Sequence, residues 1–228
     1  MSKILFAEDE PALAEIVKET LELKGFSVVH ALTASATIAA YHQVKPDVLV
    51  LDVMLPDGDG FSIARQIRQS DQVTPIIFLT SKSLPADVVD GFESGGNDYL
   101  KKPFSIEELN IRIKALLSQN RLVIKPEKVE KQAVAIGNYQ FHYPEGILII
   151  AGHKRVLTNR EAEILQMLLL NRNNMLGRDL ILNTLWPNND YFSGRSLDVF
   201  IAKLRKYLKA DPSVFIISIR GQGYKLVY

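Results

Sequence analysis

The chain has 228 residues, 47% of them hydrophobic and 23% charged, which suits one or two packed globular domains and excludes global disorder. It contains no Cys, so disulfides, zinc ribbons and thiol nucleophiles are excluded. No apolar run approaches the roughly 18 residues needed to cross a bilayer, and the opening MSKILFAEDE lacks the pattern of a signal peptide; a cytoplasmic protein with no membrane contact is expected. The net charge of +1 hides an asymmetry. Residues 1–119 carry 11 Lys and Arg against 17 Asp and Glu, whereas residues 120–228 carry 16 against 9. An acidic half joined to a basic half predicts two jobs, one of which nucleic acid could serve.

In chain order, Lys3–Ala7 reads as a short apolar strand ending in acids, and Pro11–Leu23 as a helix stopped by Gly25. Phe26–Ala31 is a second strand, Thr33–Val44 a helix, and Asp47–Asp52 a third, wholly apolar strand closed by acids. Asp57-Gly58-Asp59-Gly60 reads as a loop. It lacks the further ligands and terminal Glu of a calcium loop. Phe61–Gln69 is helical, Pro75–Thr80 a fourth strand, Leu84–Ser94 helical, and Asp98–Lys101 a fifth strand. Ser105–Leu117 is a fifth helix, for which Ser105 and Glu108 supply a capping box. Five apolar strands alternating with helices predict a doubly wound α/β domain with a five-stranded parallel sheet, whose functional crevice lies at the carboxyl ends of the strands.

The stretch 120–132 breaks this rhythm with Pro126 and a run of charge, and reads as a linker between a domain over 1–119 and another over 133–228. Beyond it, Ala133–Phe141 and Gly146–Val156 alternate like antiparallel strands with a turn near Pro144. Thr158 and Glu161 form a capping box opening a helix through Leu170, and Arg178–Leu185 and Arg195–Leu208 are further helices. Phe215–Ile219 and Tyr224–Val227, joined by Arg220-Gly221-Gln222-Gly223, read as a terminal hairpin. Three helices before a hairpin outline a winged helix-turn-helix.

Glu8, Asp9, Asp52, Thr80 and Lys102 all fall on one edge of the predicted sheet. Three crowded carboxylates call for a hard cation, and Mg²⁺ suits a site that also takes phosphate. An ionised Asp can accept a phosphoryl group, with a hydroxyl and an ammonium to position its oxygens. In the basic half, Leu197, Ile201, Leu204 and Leu208 form one helical stripe, which places Arg195, Val199, Ala202, Lys203 and Lys206 on the opposite face, fit for a major groove. A solvated surface helix would carry the same pattern. The four His residues are scattered without metal spacing.

The segments LFAEDE, LVLDVMLPDGDGF, IIFLTS and GGNDYLKKPF resemble the receiver domain of response regulators. The segments LTNREAEILQMLLLN, LWPNNDYFSGRSLDVFIAKLRKYL and SIRGQGYKL resemble the effector domain of OmpR/PhoB-type regulators. The first resemblance implies Asp52 as phosphoacceptor for a sensor histidine kinase. It implies Mg²⁺ held by Asp9, Asp52 and the Met54 carbonyl with help from Glu8, Thr80 and Lys102 about the phosphoryl group, Tyr99 as the aromatic switch, and a cis Lys102–Pro103 bond. The second implies Arg195–Leu208 as recognition helix on double-stranded DNA, with Arg195 and Lys203 in the groove and Ser196 and Arg205 at phosphates. Arg220 and Tyr224 would lie in the wing, and the Trp186–Ser193 loop would face RNA polymerase. Phe200 and Ala202 depart from the family's usual residues. A homodimer on activation is implied through the fourth helix, fifth strand and fifth helix, with Asp98 and Arg112 as a cross-subunit pair and Glu108 as a further acid. Val88, Asn97 and Gln119 stand where charged partners are usual, so the expected interface is weak or modified. The competing readings are an aspartyl phosphatase, disfavoured because Met54 stands where a second Asp is usual, and a receiver-fold regulator that needs no phosphorylation.

Overall fold

The computed structural model describes residues 1–81, 90–122, 133–186 and 193–228, with no account of the side chains of 118–122 and Ser193. The chain divides into two compact units, Met1–Lys125 and Pro126–Tyr228.

In the first unit, β1 (Lys3–Ala7), β2 (Ser27–Ala31), β3 (Val48–Asp52), β6 (Ile76–Thr80) and β7 (Asp98–Lys101) form a five-stranded sheet in the order β2-β1-β3-β6-β7. All four pairings are parallel. The interior strands β3 and β6 are buried along their whole length, as their unbroken apolar sequences require. Helices α1 (Pro11–Leu23), α2 (Ala34–Val44), α3 (Gly60–Arg68) and α5 (Ile106–Leu122) flank the strands, and residues 90–93 are helical (α4). Residues 84–89 of the helix expected over Leu84–Ser94 lie outside the described residues. The core under α1 and α5 gathers Ile4, Phe6, Val17, Leu21, Val50, Ile77, Leu109 and Ile113. Burying each such side chain stabilises the fold by about 1.5–3 kcal/mol.

Two local expectations change. The Asp57–Gly60 stretch is a loop only in part, because β4 (Met54–Leu55) and β5 (Gly58–Asp59) pair as a small antiparallel ribbon. Its two carboxylates are helix caps. Asp57 accepts from the Ala34 and Ser35 amides at 2.5 and 3.1 Å, and Asp59 accepts from the Ser62 amide at 2.9 Å. Helix α5 runs past Leu117 to Leu122, so the expected linker loses its first residues to helix, while 123–132 lie outside the described residues.

In the second unit the two long strands expected over 133–156 are four: β8 (Val134–Ile136), β9 (Tyr139–His142), β10 (Ile147–Ile150) and β11 (His153–Val156), in an antiparallel sheet of order β11-β10-β9-β8. Backbone sign explains the breaks. Ala151 and Gly152 both have positive φ, 48° and 77°, and form the two-residue turn between paired Ile150 and His153. Helices α6 (Asn159–Leu170), α7 (Arg178–Leu185) and α8 (Ser193–Tyr207) follow, and the expected capping box between Thr158 and Glu161 is present. The terminal hairpin of β13 (Phe215–Ile219) and β14 (Gly223–Val227) gains a third strand, β12 (Leu176–Gly177), on the β14 side. Gly223 permits this approach, since a Cβ there would lie 2.1 Å from the Leu176 carbonyl oxygen. Ile164, Leu165, Leu168, Leu197, Leu204 and Leu226 are fully buried between the helices and the hairpin.

Candidate phosphoacceptor pocket and nucleic-acid interface

Strand β1 delivers Glu8 and Asp9 just past its carboxyl end, and the parallel neighbour β3 ends on Asp52. One oxygen of each carboxylate lies within 4.8 Å of the others. Glu8 and Asp52 are buried and Asp9 is exposed at the mouth. Lys102 directly follows β7, precedes the cis bond to Pro103, and places Nζ 2.6 Å from Asp52 Oδ2 and 2.8 Å from Glu8 Oε1. Asp52 Oδ1 accepts from the Met54 amide at 2.9 Å. Burial pushes the Glu8 carboxyl up and the nearby Asp52 charge adds to that, against the lowering effect of Lys102. Burial alone would lower the Lys102 ammonium, but its bonds to Asp52 and Glu8 win and hold it above the ordinary lysine value. One ammonium among three carboxylates leaves the pocket short of positive charge, and the donors are all oxygen, which fits a hard divalent cation.

Behind the pocket, Thr80 is fully buried at the end of β6, where its carbonyl accepts from the Lys102 amide at 2.8 Å. Tyr99 on β7 is 1% exposed, packed edge-on to Phe78 and beside Phe92. Its side chain therefore faces into the receiver unit. Two supports went unread in the sequence. Gly60 passes so near the phosphoacceptor that a Cβ would lie 2.5 Å from the Asp52 carbonyl oxygen. The buried Arg68 donates to the carbonyls of Gly95, Asp71 and Thr74 and to Asn97 Oδ1, at 2.8–3.1 Å. The Gly in DGDG was a legible signal for Gly60, whereas nothing local marks an arginine whose acceptors lie up to 29 residues away.

Within the single chain, the residues expected at the dimer face pair with one another. Asp98 and Arg112 pair within the chain, Nη1 to Oδ1 at 2.9 Å, with side chains only 8% and 6% exposed. The same guanidinium reaches Glu108 Oε1 at 2.6 Å, so the Glu108 carboxylate is drawn toward Arg112. Breaking this buried ion group to form a cross-subunit pair would first leave a desolvated charge alone. Asn97 is fully buried, its Oδ1 accepting from Arg68 and from the Ile76 amide, and is no surface position. Val88 and the side chain of Gln119 lie outside the described residues.

On α8 and the 3-10 turn Leu208–Ala210 that continues it, the apolar stripe Leu197, Ile201, Leu204, Leu208 is buried as expected, but the buried arc is wider than one stripe. Val199 is 8% exposed and Ser196 1%, so neither stands on the open face where the helical count put Val199 or where a phosphate contact would put Ser196. Lys203 is half-buried and leans 3.6 Å from Glu161. The exposed stripe is Asp198, Ala202, Arg205, Lys206 and Lys209, with Arg195 partly exposed at the start. Arg205 is engaged along the hairpin, donating to the Ile216 carbonyl and Ser218 Oγ at 2.9 and 2.8 Å. Arg220 is exposed at the hairpin tip, whereas Tyr224 is 5% exposed and bonded inside the unit. Of the loop over Trp186–Ser193, residues 187–192 lie outside the described residues. Trp186 is buried against Phe200 and under the Arg160 guanidinium.

Comparison with known proteins accords with these two units. The family model of the response regulator receiver domain matches residues 4–114, and that of the transcriptional regulatory protein C terminal matches residues 152–226. The transcriptional regulatory protein RprY of Bacteroides fragilis is 42% identical over 225 residues, covering 99% of this chain and 94% of that protein. The alkaline phosphatase synthesis transcriptional regulatory protein PhoP of Bacillus subtilis is 35% identical, covering 98% and 96%. Among solved structures, the response regulator DrrB of Thermotoga maritima, an OmpR/PhoB homologue, is 31% identical and matches the whole of both chains with a TM-score of 0.50. A RitR mutant, 23% identical over 99% of both chains at a TM-score of 0.73, shares the fold. With a receiver unit followed by a DNA-binding unit, and relatives matched along nearly all of its length, the chain belongs to the OmpR/PhoB-type two-component response regulators, a family of transcriptional regulators.

Proposed function

We propose that Asp52 accepts a phosphoryl group from a phosphorylated histidine kinase, and that this favours a homodimer which binds double-stranded DNA and contacts RNA polymerase in the cytoplasm. The observation that carries the reading is the convergence of Glu8, Asp9 and Asp52 within 4.8 Å, with the Lys102 ammonium 2.6 Å from the acceptor carboxylate. An Asp52 oxygen forms the new O–P bond as the N–P bond of the phosphohistidine breaks, and the imidazole nitrogen keeps the electron pair. Lys102 must release Asp52 Oδ2 and follow the transferred phosphoryl oxygens, while the Met54 amide holds Oδ1 and fixes which oxygen attacks. The Thr80 hydroxyl, at the end of the neighbouring strand β6, would donate to a phosphoryl oxygen. Asp9, Asp52 and the Met54 carbonyl, with Glu8 beside them, would hold Mg²⁺, which when bound neutralises charge on carboxylate and phosphoryl oxygens alike.

Arg195, Lys203, Arg205, Lys206 and Arg220 are the proposed DNA contacts, of which Arg205, Lys206 and Arg220 are exposed. Ser196, Val199 and Tyr224 act from beneath the surface. Asp98, Glu108 and Arg112 would form the dimer face by exchanging part of their intrachain ion group for a cross-subunit one. The test is molar mass by light scattering in Mg²⁺ with and without beryllofluoride. A monomer-to-dimer shift that Asp52→Ala abolishes is the expected result. No shift in the wild type, with equal DNA affinity for wild type and Asp52→Ala, would refute the phospho-switch. It would support the second reading, a regulator that needs no phosphorylation, which the inward Tyr99 favours.

A further inference from the structure

At the start of α8 three elements meet. Arg178, the first residue of α7, forks Asp198 on α8: Nη1 lies 2.6 Å from Oδ1 and Nη2 lies 3.0 Å from Oδ2. The Tyr224 hydroxyl on β14 donates to the same Asp198 Oδ1 at 2.7 Å and also meets Arg178 Nη1. Arg178 Nη2 donates further to the Gly194 carbonyl in the first turn of α8, and the Arg178 amide donates to the Gln222 carbonyl in the hairpin loop at 2.8 Å. Burial and the Asp198 carboxylate push the Tyr224 hydroxyl up to about 12, so it remains a donor at neutral pH.

Asp198 is the feature that needs explaining. Its side chain is 59% exposed, and it shares the open stripe of α8 with Ala202, Arg205 and Lys206. A free carboxylate on a face that meets DNA would repel phosphates. Exposed ion pairs contribute little to stability, so the fold alone gives little reason for the pairing. A planar guanidinium forking a carboxylate instead fixes geometry.

We propose that Arg178, Asp198 and Tyr224 are positioning residues for DNA binding. Arg178 cancels the Asp198 charge, and with Tyr224 it sets the angle between the recognition helix α8 and the β13–β14 wing. None of the three reads DNA. This rests on the DNA-binding reading above, and the experiment separates failure of the two.

The full chain, treated with Mg²⁺ and beryllofluoride, is titrated against a fluorescent duplex selected by the wild type from a randomised 20-base-pair library. Arg178→Met, Asp198→Asn, the double variant and Tyr224→Phe are compared at several salt concentrations. Arg178→Met strands Asp198 at the DNA face and should lose about tenfold or more in affinity. Asp198→Asn should lose less than about threefold, and the double variant should recover most of the Arg178→Met loss, since contacting residues couple by amounts of this order. The slope of log affinity against log salt should not change, because no phosphate contact is removed. Tyr224→Phe should lose about threefold with the same slope. Equal losses for Arg178→Met and the double variant, with a slope reduced by about one, would overturn the proposal and make Arg178 a phosphate contact. Should Arg178→Met unfold the unit, Arg178→Lys keeps the charge and loses only the fork; wild-type affinity in that variant would equally overturn it. Failure of the wild type to select any duplex would refute DNA binding itself.

Discussion

Replacing Arg68 by Met should unfold the receiver unit at a much lower temperature while leaving the effector unit as it is. Arg68 is 8% exposed and donates to three backbone carbonyls and the Asn97 side chain, so it ties the end of α3 to the turn after it, to the approach to β6 and to the Gly95–Asn97 segment before β7. Hydrogen bonds to a charged group contribute about 1.5–3 kcal/mol each, and a stranded buried acceptor costs about 1–3 kcal/mol. Met keeps the aliphatic stem that Gly95 packs on, and it spares the desolvation of a guanidinium, so the four bonds do not sum. A net loss of about 3 kcal/mol is expected. For a unit of this size that lowers the midpoint by roughly 10–15 °C. Calorimetry with parallel tryptophan fluorescence separates the units, because Trp186 is the sole Trp and lies in the effector. The fluorescence midpoint should stay while the receiver transition falls. A receiver shift of less than about 3 °C would refute the view that these bonds organise the loop.

Gly60→Ala places a Cβ against the Asp52 carbonyl and should slow phosphorylation by acetyl phosphate about tenfold or more, through a displaced acceptor, with the receiver still folded; gel mobility of the aspartyl phosphate reads this. Burial would raise the Asp71 carboxyl, but bonds from Thr74, Tyr41 and two backbone amides outweigh it and hold it below the ordinary value. A depressed acid stabilises above the unfolded-state value of about 3.9 and loses that contribution as pH falls through its folded value. Asp71→Asn should therefore lower receiver stability at neutral pH and flatten its decline below about pH 4, as read by denaturant midpoints. Thr158→Ala removes the cap of α6 and should cost about 1 kcal/mol, seen in the effector transition alone.

Strand and helix types were legible because each signal is local. Unbroken apolar runs such as VLVLD leave no face for water, and the Thr158–Glu161 box spans a single turn. The pocket was legible for a related reason. Parallel strands bring their carboxyl ends together, so acids just past β1 and β3 and a lysine just past β7 must converge once the order of the strands is known. Breaks at Gly137 and Ala151-Gly152 were missed because alternation continues across them, and only the sign of φ divides the strands.

What tertiary structure decided was which partner each side chain takes. Helical arithmetic assigns α8 one buried stripe, yet α6, α7 and the hairpin all pack on it, so Ser196 and Val199 are covered as well. Asp98 meets Arg112 inside its own chain, 14 residues on, a pairing that sequence spacing does not reveal. Tyr224 turns away from solvent because an acid 26 residues earlier and an arginine 46 residues earlier wait on neighbouring elements. Backbone periodicity is written in neighbouring residues, but the pairing of charged side chains is settled by packing between distant ones, where each group must find a counterpart or keep its water.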